Sequence, residues 1–319
     1  KSILVMDILV VIEDSRGLMH RMSKEAIAGA QKIGGNITAL VIGDNSDAIS
    51  NELSSIAIEK TLVVKHELVS SYNSDGYTEV IAQVIQSTEP DMVVIGHTYQ
   101  TRDFMPRVSA RLDIPFIPDI IYVEQDSYTK QVLNSKLNSS VSSSSNKKIL
   151  SFQSACYNEE DILTGTNSSE NFEINLDLSV IRSSSEEPFQ DSVAEVDLES
   201  AELIVSVGRG IQKEENIPIA FDLASAISAE VSASRPVVDA GWLPSFRQVG
   251  SSGSTVSPKL YFSLGISGAI QHVVGMKGSK NILAINKDPD APIFELADYA
   301  VVGDVLEIVP KLIEALNNS

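Results

Sequence analysis

The residues best suited to chemistry lie in five short segments near the C-terminal end of this 319-residue chain. Glycines let a ligand approach the backbone closely, hydroxyls donate and accept hydrogen bonds, and arginines bind phosphates. No segment offers paired carboxylates or an activated nucleophile, so this chemistry suits holding a large cofactor rather than hydrolysis. The segments are 208–210 (Gly-Arg-Gly), 234–236 (Ser-Arg-Pro), 250–254 (Gly-Ser-Ser-Gly-Ser), 265–272 (Gly-Ile-Ser-Gly-Ala-Ile-Gln-His) and 286–289 (Asn-Lys-Asp-Pro).

Each segment taken alone also has a purely structural interpretation. Residues 250–254 could be a flexible turn, and 265–272 lacks the GxGxxG spacing of a dinucleotide fingerprint. A single histidine such as His272 is more often structural than catalytic. Arg235 could form a surface ion pair, and Asn286 could cap a turn. Only their combined placement favours a cofactor site.

Composition argues against several other classes of site. The chain has 24 Lys and Arg against 43 Asp and Glu, a net charge of −19, which repels nucleic-acid backbones. Its one cysteine, Cys156, cannot form an internal disulfide or a multi-cysteine metal site, and four histidines without HExxH spacing argue against zinc catalysis. We see no apolar run for a membrane span and no secretory signal, and expect a cytoplasmic-type acidic protein.

The first half of the chain alternates between strand and helix patterns, which predicts a parallel sheet covered on both faces. The apolar runs are 3–12, 37–42, 61–64 and 92–95, and the helical segments are 22–33, 48–56, 78–86 and 104–112. From residue 120 to 181 four short segments (120–124, 128–133, 148–153 and 172–180) predict strands added antiparallel to this sheet. The serine-rich stretch 135–145 predicts a mobile hairpin tip.

The C-terminal part again alternates. We predict a strand at 203–207, a helix over 220–232, a strand at Val237-Val238, strands at 261–264, 281–285 and 299–302, and a last helix capped by Asp304. The fold class is therefore α/β with two domains. The N-terminal domain (1–190) has a nucleotide-binding-like parallel sheet with added antiparallel strands, and the C-terminal domain (191–319) is doubly wound. A linker is expected over 183–191. The five segments fall at strand carboxyl ends, where such sheets bind ligands.

Three stretches, 234–248, 264–276 and 284–299, closely resemble the α-subunit of electron transfer flavoprotein. The likeness runs through most of 203–313, and the first half resembles the family's N-terminal domain more loosely, at 96–112. The resemblance implies a heterodimer in which the C-terminal domain carries FAD. A β-subunit would close over the FAD and hold a separate AMP.

The resemblance also implies roles for single residues. Arg235 would place its guanidinium beside the flavin ring, Ser252 would face flavin N5, and His272 would lie near the N1–C2=O edge. The other implied FAD-lining positions are Arg209, Ser234, Val249, Gly250, Ser251, Ser267, Gly268, Ala269, Ile270, Gln271, Asn286, Asp304 and Val305.

The implied function is electron carriage rather than bond-making catalysis. The subunit would take electrons from flavoprotein dehydrogenases of the acyl-CoA dehydrogenase type through an anionic flavin semiquinone, and pass them to a membrane quinone oxidoreductase. Its compartment would be the bacterial cytoplasm or the mitochondrial matrix. Two alternatives stay open: an electron-bifurcating form that oxidises NADH, and a non-redox module in which the N-terminal domain binds an adenine nucleotide.

Two departures from the family pattern leave the flavin potential and the redox partner open. Ser251-Ser252-Gly253-Ser254 stands where most relatives have Gln-Thr-Gly-Lys, which keeps a hydroxyl but removes a positive charge. Ser245-Phe246 replaces the usual Asn-Asp.

The charge of Arg235 generates a first prediction. Arg235→Ala should lower the flavin midpoint potential and weaken the semiquinone, because a positive charge near the reduced flavin is lost. Spectral redox titration measures both quantities, and an unchanged potential would remove Arg235 from the site.

Overall fold

The computed structural model describes residues 5–133, 137–185, 196, 198 and 201–317. The chain forms two compact units, residues 1–189 and 190–319. The predicted domain boundary at 190/191 and much of the predicted linker lie outside the described residues, so the boundary stays a prediction. Among the described helices, none has the length and apolar composition that crossing a bilayer requires.

The first unit is built on a mostly parallel sheet. Its strands are β1 (Asp7–Ile12), β2 (Asp14–Ser15), β3 (Leu18–Met19), β4 (Asn36–Ile42), β5 (Lys60–Val64), β6 (Met92–Gly96), β7 (Phe116–Glu124), β8 (Ser127–Val132), β9 (Leu137–Ser142), β10 (Lys148–Phe152) and β11 (Ser168–Asn171). Its helices are α1 (Arg21–Ile33), α2 (Ser46–Leu53), α3 (Ser74–Thr88) and α4 (Tyr99–Leu112). Within the described residues, nine strands follow the order β11-β5-β4-β1-β6-β10-β7-β8-β9.

The centre of this sheet is β1, which pairs in parallel with β4 on one side and β6 on the other. Val10 lies between Ala39 and Val94, and all three side chains are fully buried. Continuous apolar strands of this kind need cover on both faces. Two separate hydrophobic clusters supply it, one on each side of the sheet.

The region after residue 120 differs from the prediction in three ways. Only β8 and β9 are antiparallel additions; β10 runs parallel between β6 and β7, inside the sheet. The predicted strand at 172–180 is wrong, because the strand is β11, which pairs in parallel with β5. Most of the serine-rich stretch forms β9 rather than a loop, while 135–136 lie outside the described residues. Cross-strand pairing with β8 supplies order that the composition does not predict.

The second unit has a five-stranded parallel sheet among the described residues. Its strands are β12 (Leu203–Val207), β13 (Glu230–Ala233), β14 (Leu260–Leu264), β15 (Ile282–Asn286) and β16 (Tyr299–Val302), in the order β13-β12-β14-β15-β16. Its α-helices are α5 (Pro218–Ile227), α6 (Arg235–Asp239), α7 (Ile270–Val273) and α8 (Val305–Asn317). This is the predicted doubly wound arrangement.

Two predictions for this unit differ from the structure. The helix expected over 220–232 is present as α5, but it ends at Ile227, and β13 follows it. Ser228 takes a left-handed conformation (φ 54°) that stops the helix. The strand expected at Val237-Val238 is part of α6, since Pro236 lies in the first helical turn, where its missing N–H costs nothing.

The two faces of the second sheet differ in character. One face packs against α5 and α8 through a large aliphatic cluster. The other carries a cross-strand row of three buried serines, Ser232, Ser206 and Ser263, with Tyr261 on the same face of β14. That face also carries a second, smaller hydrophobic cluster, which includes Ile204, Tyr261 and Ile282.

The strand order reverses direction between β12 and β14, and the loops that leave these two strands touch each other there. The Gly210 amide donates to the Gly265 carbonyl at 2.9 Å. A Cβ on Gly210 would lie 2.6 Å from the Cα of Gly265, and Gly265 itself has φ 64°. This contact requires glycine on both sides, because any side chain would separate the loops.

Gly265→Ala should therefore destabilise the second unit by about 3 kcal/mol, combining left-handed backbone strain with overpacking. Gly241→Ala is a matched control, since its φ is 76° but no atom lies within 4 Å of the added Cβ. We expect the control to cost about 1 kcal/mol. Urea unfolding of the full chain, followed by the fluorescence of Trp242, its single tryptophan, measures both. If the two substitutions lowered the free energy of unfolding equally, crowding at Gly265 would not contribute to stability.

Candidate functional site

Backbone hydrogen bonds join the predicted segments along the carboxyl edge of the second sheet. The Ser234 amide donates to the Val207 carbonyl at 2.9 Å, which fixes the start of α6 beside the end of β12. The Ser251 amide donates to the Gln271 carbonyl at 2.7 Å and joins segment 250–254 to α7. A Cβ on Gly250 would meet that same carbonyl oxygen at 2.7 Å, so the two backbones lie in contact.

Gln248 shapes the turn at residues 250–253. Its Nε2 donates to the Ser252 carbonyl oxygen at 2.9 Å and to Ser252 Oγ at 3.1 Å. Gln248 is buried, whereas Ser252 is exposed. Because Ser252 Oγ accepts from this amide, its own proton remains available to donate outward.

His272 is buried directly behind this turn. Its Nδ1 lies 3.1 Å from the Val249 carbonyl oxygen and its Nε2 lies 2.9 Å from the Tyr261 hydroxyl. Burial lowers the pKa of His272 to about 4, and the bond to Val249 only partly opposes this effect. At neutral pH the imidazole is therefore uncharged.

The remaining strand ends are also connected. The Asn286 side-chain amide donates to the Ile266 carbonyl at 2.9 Å, and the Ile293 amide donates to the Ser267 carbonyl at 3.1 Å. Asp304 accepts from the Leu306 amide and pairs with Lys287 at 2.8 Å. These bonds with Lys287 and Leu306 lower the pKa of Asp304. Asp304 thus caps α8, as predicted.

Two arginines stand exposed on this edge. The Arg209 guanidinium stacks on Trp242, 5.2 Å from the ring centroid. Arg235 pairs through Nε with Asp239 one turn along α6, at 3.3 Å, and its side chain is 67% exposed. Exposed pairs of this kind contribute less than about 1 kcal/mol, so Arg235 can leave Asp239 for a ligand at little cost.

The sixteen residues proposed from the sequence thus lie on one connected edge, but they are unequally accessible. Exposed are Arg209, Arg235, Ser251, Ser252, Ser267, Ala269, Ile270 and Gln271; partly exposed are Asn286 and Asp304; buried are Ser234, Val249, Gly250, Gly268, His272 and Val305. The Val305 side chain belongs to the aliphatic core, so that only its backbone could meet a ligand.

The sequence interpretation missed two supporting residues, Gln248 and Tyr261. Gln248 is a polar residue directly before a Val-Gly pair, and Tyr261 is a hydroxyl-bearing side chain within an apolar strand. Both patterns are visible in the sequence, but neither tells which atom the polar group reaches.

Comparison with known proteins matches both units to one family. The model described as "Electron transfer flavoprotein domain" covers residues 8–174, and "Electron transfer flavoprotein FAD-binding domain" covers 197–277. The electron transfer flavoprotein subunit alpha of Thermoanaerobacterium thermosaccharolyticum is 34% identical, over 97% of each chain. That of Bacillus subtilis is 35% identical over 96% of each, and Protein FixB of Azotobacter vinelandii is 33% identical over 98% of this chain and 91% of its own.

The chain belongs to the electron transfer flavoprotein α-subunit family. Residues 197–277 of its second unit match the FAD-binding domain of that family, and its role is that of an electron transfer flavoprotein α-subunit.

The residues of this edge fit FAD. The glycine crossing between the loops after β12 and β14 lies at the point where the strand order reverses, where dinucleotides bind in such sheets. Exposed hydroxyls at Ser251 and Ser252 offer donors, and Arg209 and Arg235 offer positive charge to an anionic cofactor. The chain has a net charge of −19, which repels an anion, and these two arginines offset that repulsion locally for an anionic cofactor.

The corresponding edge of the first sheet is occupied by its own side chains. The Thr98 hydroxyl donates to Glu13 at 2.5 Å, where β1 and β6 end. His97 Nδ1 bonds Ser151 Oγ at 2.8 Å, and burial lowers the pKa of His97 to about 4. Arg102 donates through Nε to His97 Nε2 at 3.2 Å, so these side chains bond one another rather than lining an open site.

The buried, neutral His272 predicts a pH dependence of stability. Its pKa falls from about 6.5 in the unfolded chain to about 4 in the folded one. The stability that it contributes is fully present above pH 6.5 and is lost as the pH falls towards 4, by about 3 kcal/mol in total.

Urea unfolding followed by Trp242 fluorescence between pH 7.5 and 4.5 tests this expectation. His272→Gln should flatten the slope of stability against pH, although it lowers stability at every pH. Parallel slopes for the two proteins would show that His272 is not the titrating group.

Proposed function

We propose that this chain is the FAD-carrying subunit of a heterodimer with an electron transfer flavoprotein β-subunit, which holds AMP. The complex takes electrons from flavoprotein dehydrogenases of the acyl-CoA dehydrogenase type and delivers them to a membrane quinone oxidoreductase. It works by transient docking with these proteins and makes or breaks no substrate bond itself.

One observation carries the proposal. The edge that joins segments 208–210, 250–254 and 265–272 presents cations and hydroxyl donors, and its histidine is withdrawn into the protein. Such an inventory binds and tunes a cofactor but holds no base or nucleophile poised for substrate. FAD, when bound, supplies the redox chemistry, and the protein sets its electrostatics.

The residues divide into three tasks. Arg209 and Arg235 supply positive charge, which favours negative charge on the bound cofactor. Ser252 holds a donatable proton, because its oxygen already accepts from Gln248. The glycines at 250, 265 and 268 adopt positive φ values of 141°, 64° and 88° and shape the loops that would surround the dinucleotide.

The family resemblance supplies the proposed contacts with the flavin ring, and the exposed charges and hydroxyls supply the others. Arg235 and Ser252 lie against the flavin ring, Arg209 lies at the pyrophosphate, and the exposed residues of segments 250–254 and 265–272 line the remainder. Asn286 and Asp304 hold the loops in place through their own hydrogen bonds. They contact the cofactor only through the polar atoms that these bonds do not use.

The non-redox nucleotide module is less well supported. It requires an open phosphate site in the first unit, where Glu13, Thr98 and His97 bond to neighbouring side chains instead.

Co-expression with a β-subunit should yield a yellow complex with one FAD per α-chain. Acyl-CoA with its dehydrogenase should bleach the absorbance. Arg209→Ala combined with Arg235→Ala should weaken FAD retention at least tenfold, since two charge-assisted contacts are lost. Lys311→Ala, which removes a charge from the exposed side of α8, is the control.

A colourless 1:1 complex would contradict the proposal. Bleaching by NADH alone would favour the electron-bifurcating form. Tight AMP or ATP binding by the isolated α-chain would favour the nucleotide module.

A further inference from the structure

Residues 245–249 connect the free edge of β13 with the turn of the candidate site at 250–253. Among the described strands, β13 is the first in the order of the second sheet, so one of its edges has no strand beside it. Gln248 forms a single parallel bridge with Ala233 at this edge, and the Val249 amide donates to the Ala233 carbonyl at 2.9 Å. In this part of the described chain, backbone pairing thus covers only the end of β13.

The side chain of Arg247 extends this pairing by one step. Its Nη1 donates to the Val231 carbonyl at 2.6 Å, two residues before Ala233 on the same strand. Both carbonyls accept from residues 247–249, so they face the same edge of β13. A charged guanidinium forms a stronger hydrogen bond than a neutral amide, and here it takes the place of a donor that a neighbouring strand would provide.

Two aromatic rings contact the same guanidinium. It lies 5.3 Å from the ring centroid of Phe221 on α5 and 5.7 Å from that of Phe246. Phe246 belongs to the pair Ser245-Phe246, which departs from the family pattern, and the structure gives its ring this partner. Two rings from separate segments restrict the position of the guanidinium, because a cation is attracted to the face of an aromatic ring.

The electrostatics of Arg247 fit a fixed internal role. Arg247 is half-buried, and burial lowers its pKa, while the nearby carboxylate of Glu230 opposes that effect. A guanidinium stays protonated at neutral pH even when its pKa falls, so its N–H groups remain donors. Burial removes part of its hydration, and the Val231 carbonyl and the two rings replace that hydration.

Gln248 transmits the position of Arg247 to the turn. Its carbonyl accepts from the Ser254 amide at 2.8 Å, and its side-chain amide donates to the Ser252 carbonyl at 2.9 Å. The backbone at Gly253 lies against the Gln248 carbonyl, because a Cβ there would meet its oxygen at 2.3 Å. A displacement of Gln248 therefore breaks hydrogen bonds to Ser252 and to the residue that ends the turn.

We propose that Arg247 is a positioning residue that fixes residues 245–249 to β13 and α5 and thereby holds the turn that bears Ser252. Arg247 acts through Gln248 and needs no contact with the cofactor. This role rests on the proposed function only where the cofactor is the readout.

The experiment is hydrogen–deuterium exchange of the αβ complex, followed by mass spectrometry of peptides that span residues 248–256. Arg247→Met keeps a long apolar side chain beside the rings but removes every donor. We expect amide exchange in these peptides to become about tenfold faster, because the bond that is lost is charge-assisted. Arg247→Lys keeps a charged donor and should restore most of the protection. Lys311→Met, which removes a charge from the exposed side of α8, is the control.

Three results would overturn the proposal. One is unchanged exchange at 248–256 in a folded Arg247→Met complex. Another is an equal increase throughout the second unit, because Arg247 would then support the whole unit rather than this turn. The third needs no variant and is obtained if residues 248–256 of the wild-type complex exchange as fast as an unfolded chain.

A second readout rests on the proposed function. Phe221→Leu removes one ring and leaves every charge in place, so it tests position apart from charge. We expect this variant to release FAD about threefold faster, because one cation–π contact of Arg247 is lost. Unchanged release would contradict the placement of Ser252 by Arg247. If the wild-type complex holds no FAD, the proposed function fails, while the exchange data still decide the role of Arg247.

Discussion

The contact between the loops that leave β12 and β14 is the constraint on which the second unit depends. At this point two backbones meet through Gly210 and Gly265 with no space for a side chain. The contact brings Arg209 beside the segment that leads into α7. Everything that could hold a dinucleotide is arranged around this crossing, since the strand order reverses there and the loops diverge on either side.

A layer of internal hydrogen bonds behind this crossing determines which groups face outward. The Gln248 amide donates a hydrogen bond to Ser252 Oγ. Tyr261 and Val249 form hydrogen bonds with the two ring nitrogens of His272. Several residues that resemble cofactor contacts by position therefore serve first as supports. In a low-dielectric interior such satisfied polar groups rigidify a loop, and an unsatisfied one is costly. These hydrogen bonds explain why Gln248, Tyr261 and His272 can be buried next to the candidate cofactor site.

The two units use similar sheets differently. In the second, the carboxyl edge is lined with glycine and serine and carries exposed cations. In the first, Glu13, Thr98 and His97 bond to neighbours and occupy the equivalent edge. The same class of parallel sheet thus provides a site in one unit and internal connections in the other, and the side chains at the strand ends differ between the two units.

Hydrophobic periodicity in the sequence was sufficient to determine the class of fold, because continuous apolar strands alternating with amphipathic helices fit only a sheet covered on both faces. Glycine, serine and arginine at the strand ends indicated where a cofactor would lie. The sequence did not determine that β10 enters the middle of the first sheet or that Val237 lies in a helix, since strand partners depend on contacts distant in sequence. Nor did it reveal the state of His272: only the tertiary structure brings Tyr261 and Val249 to its two nitrogens, and burial then removes its charge.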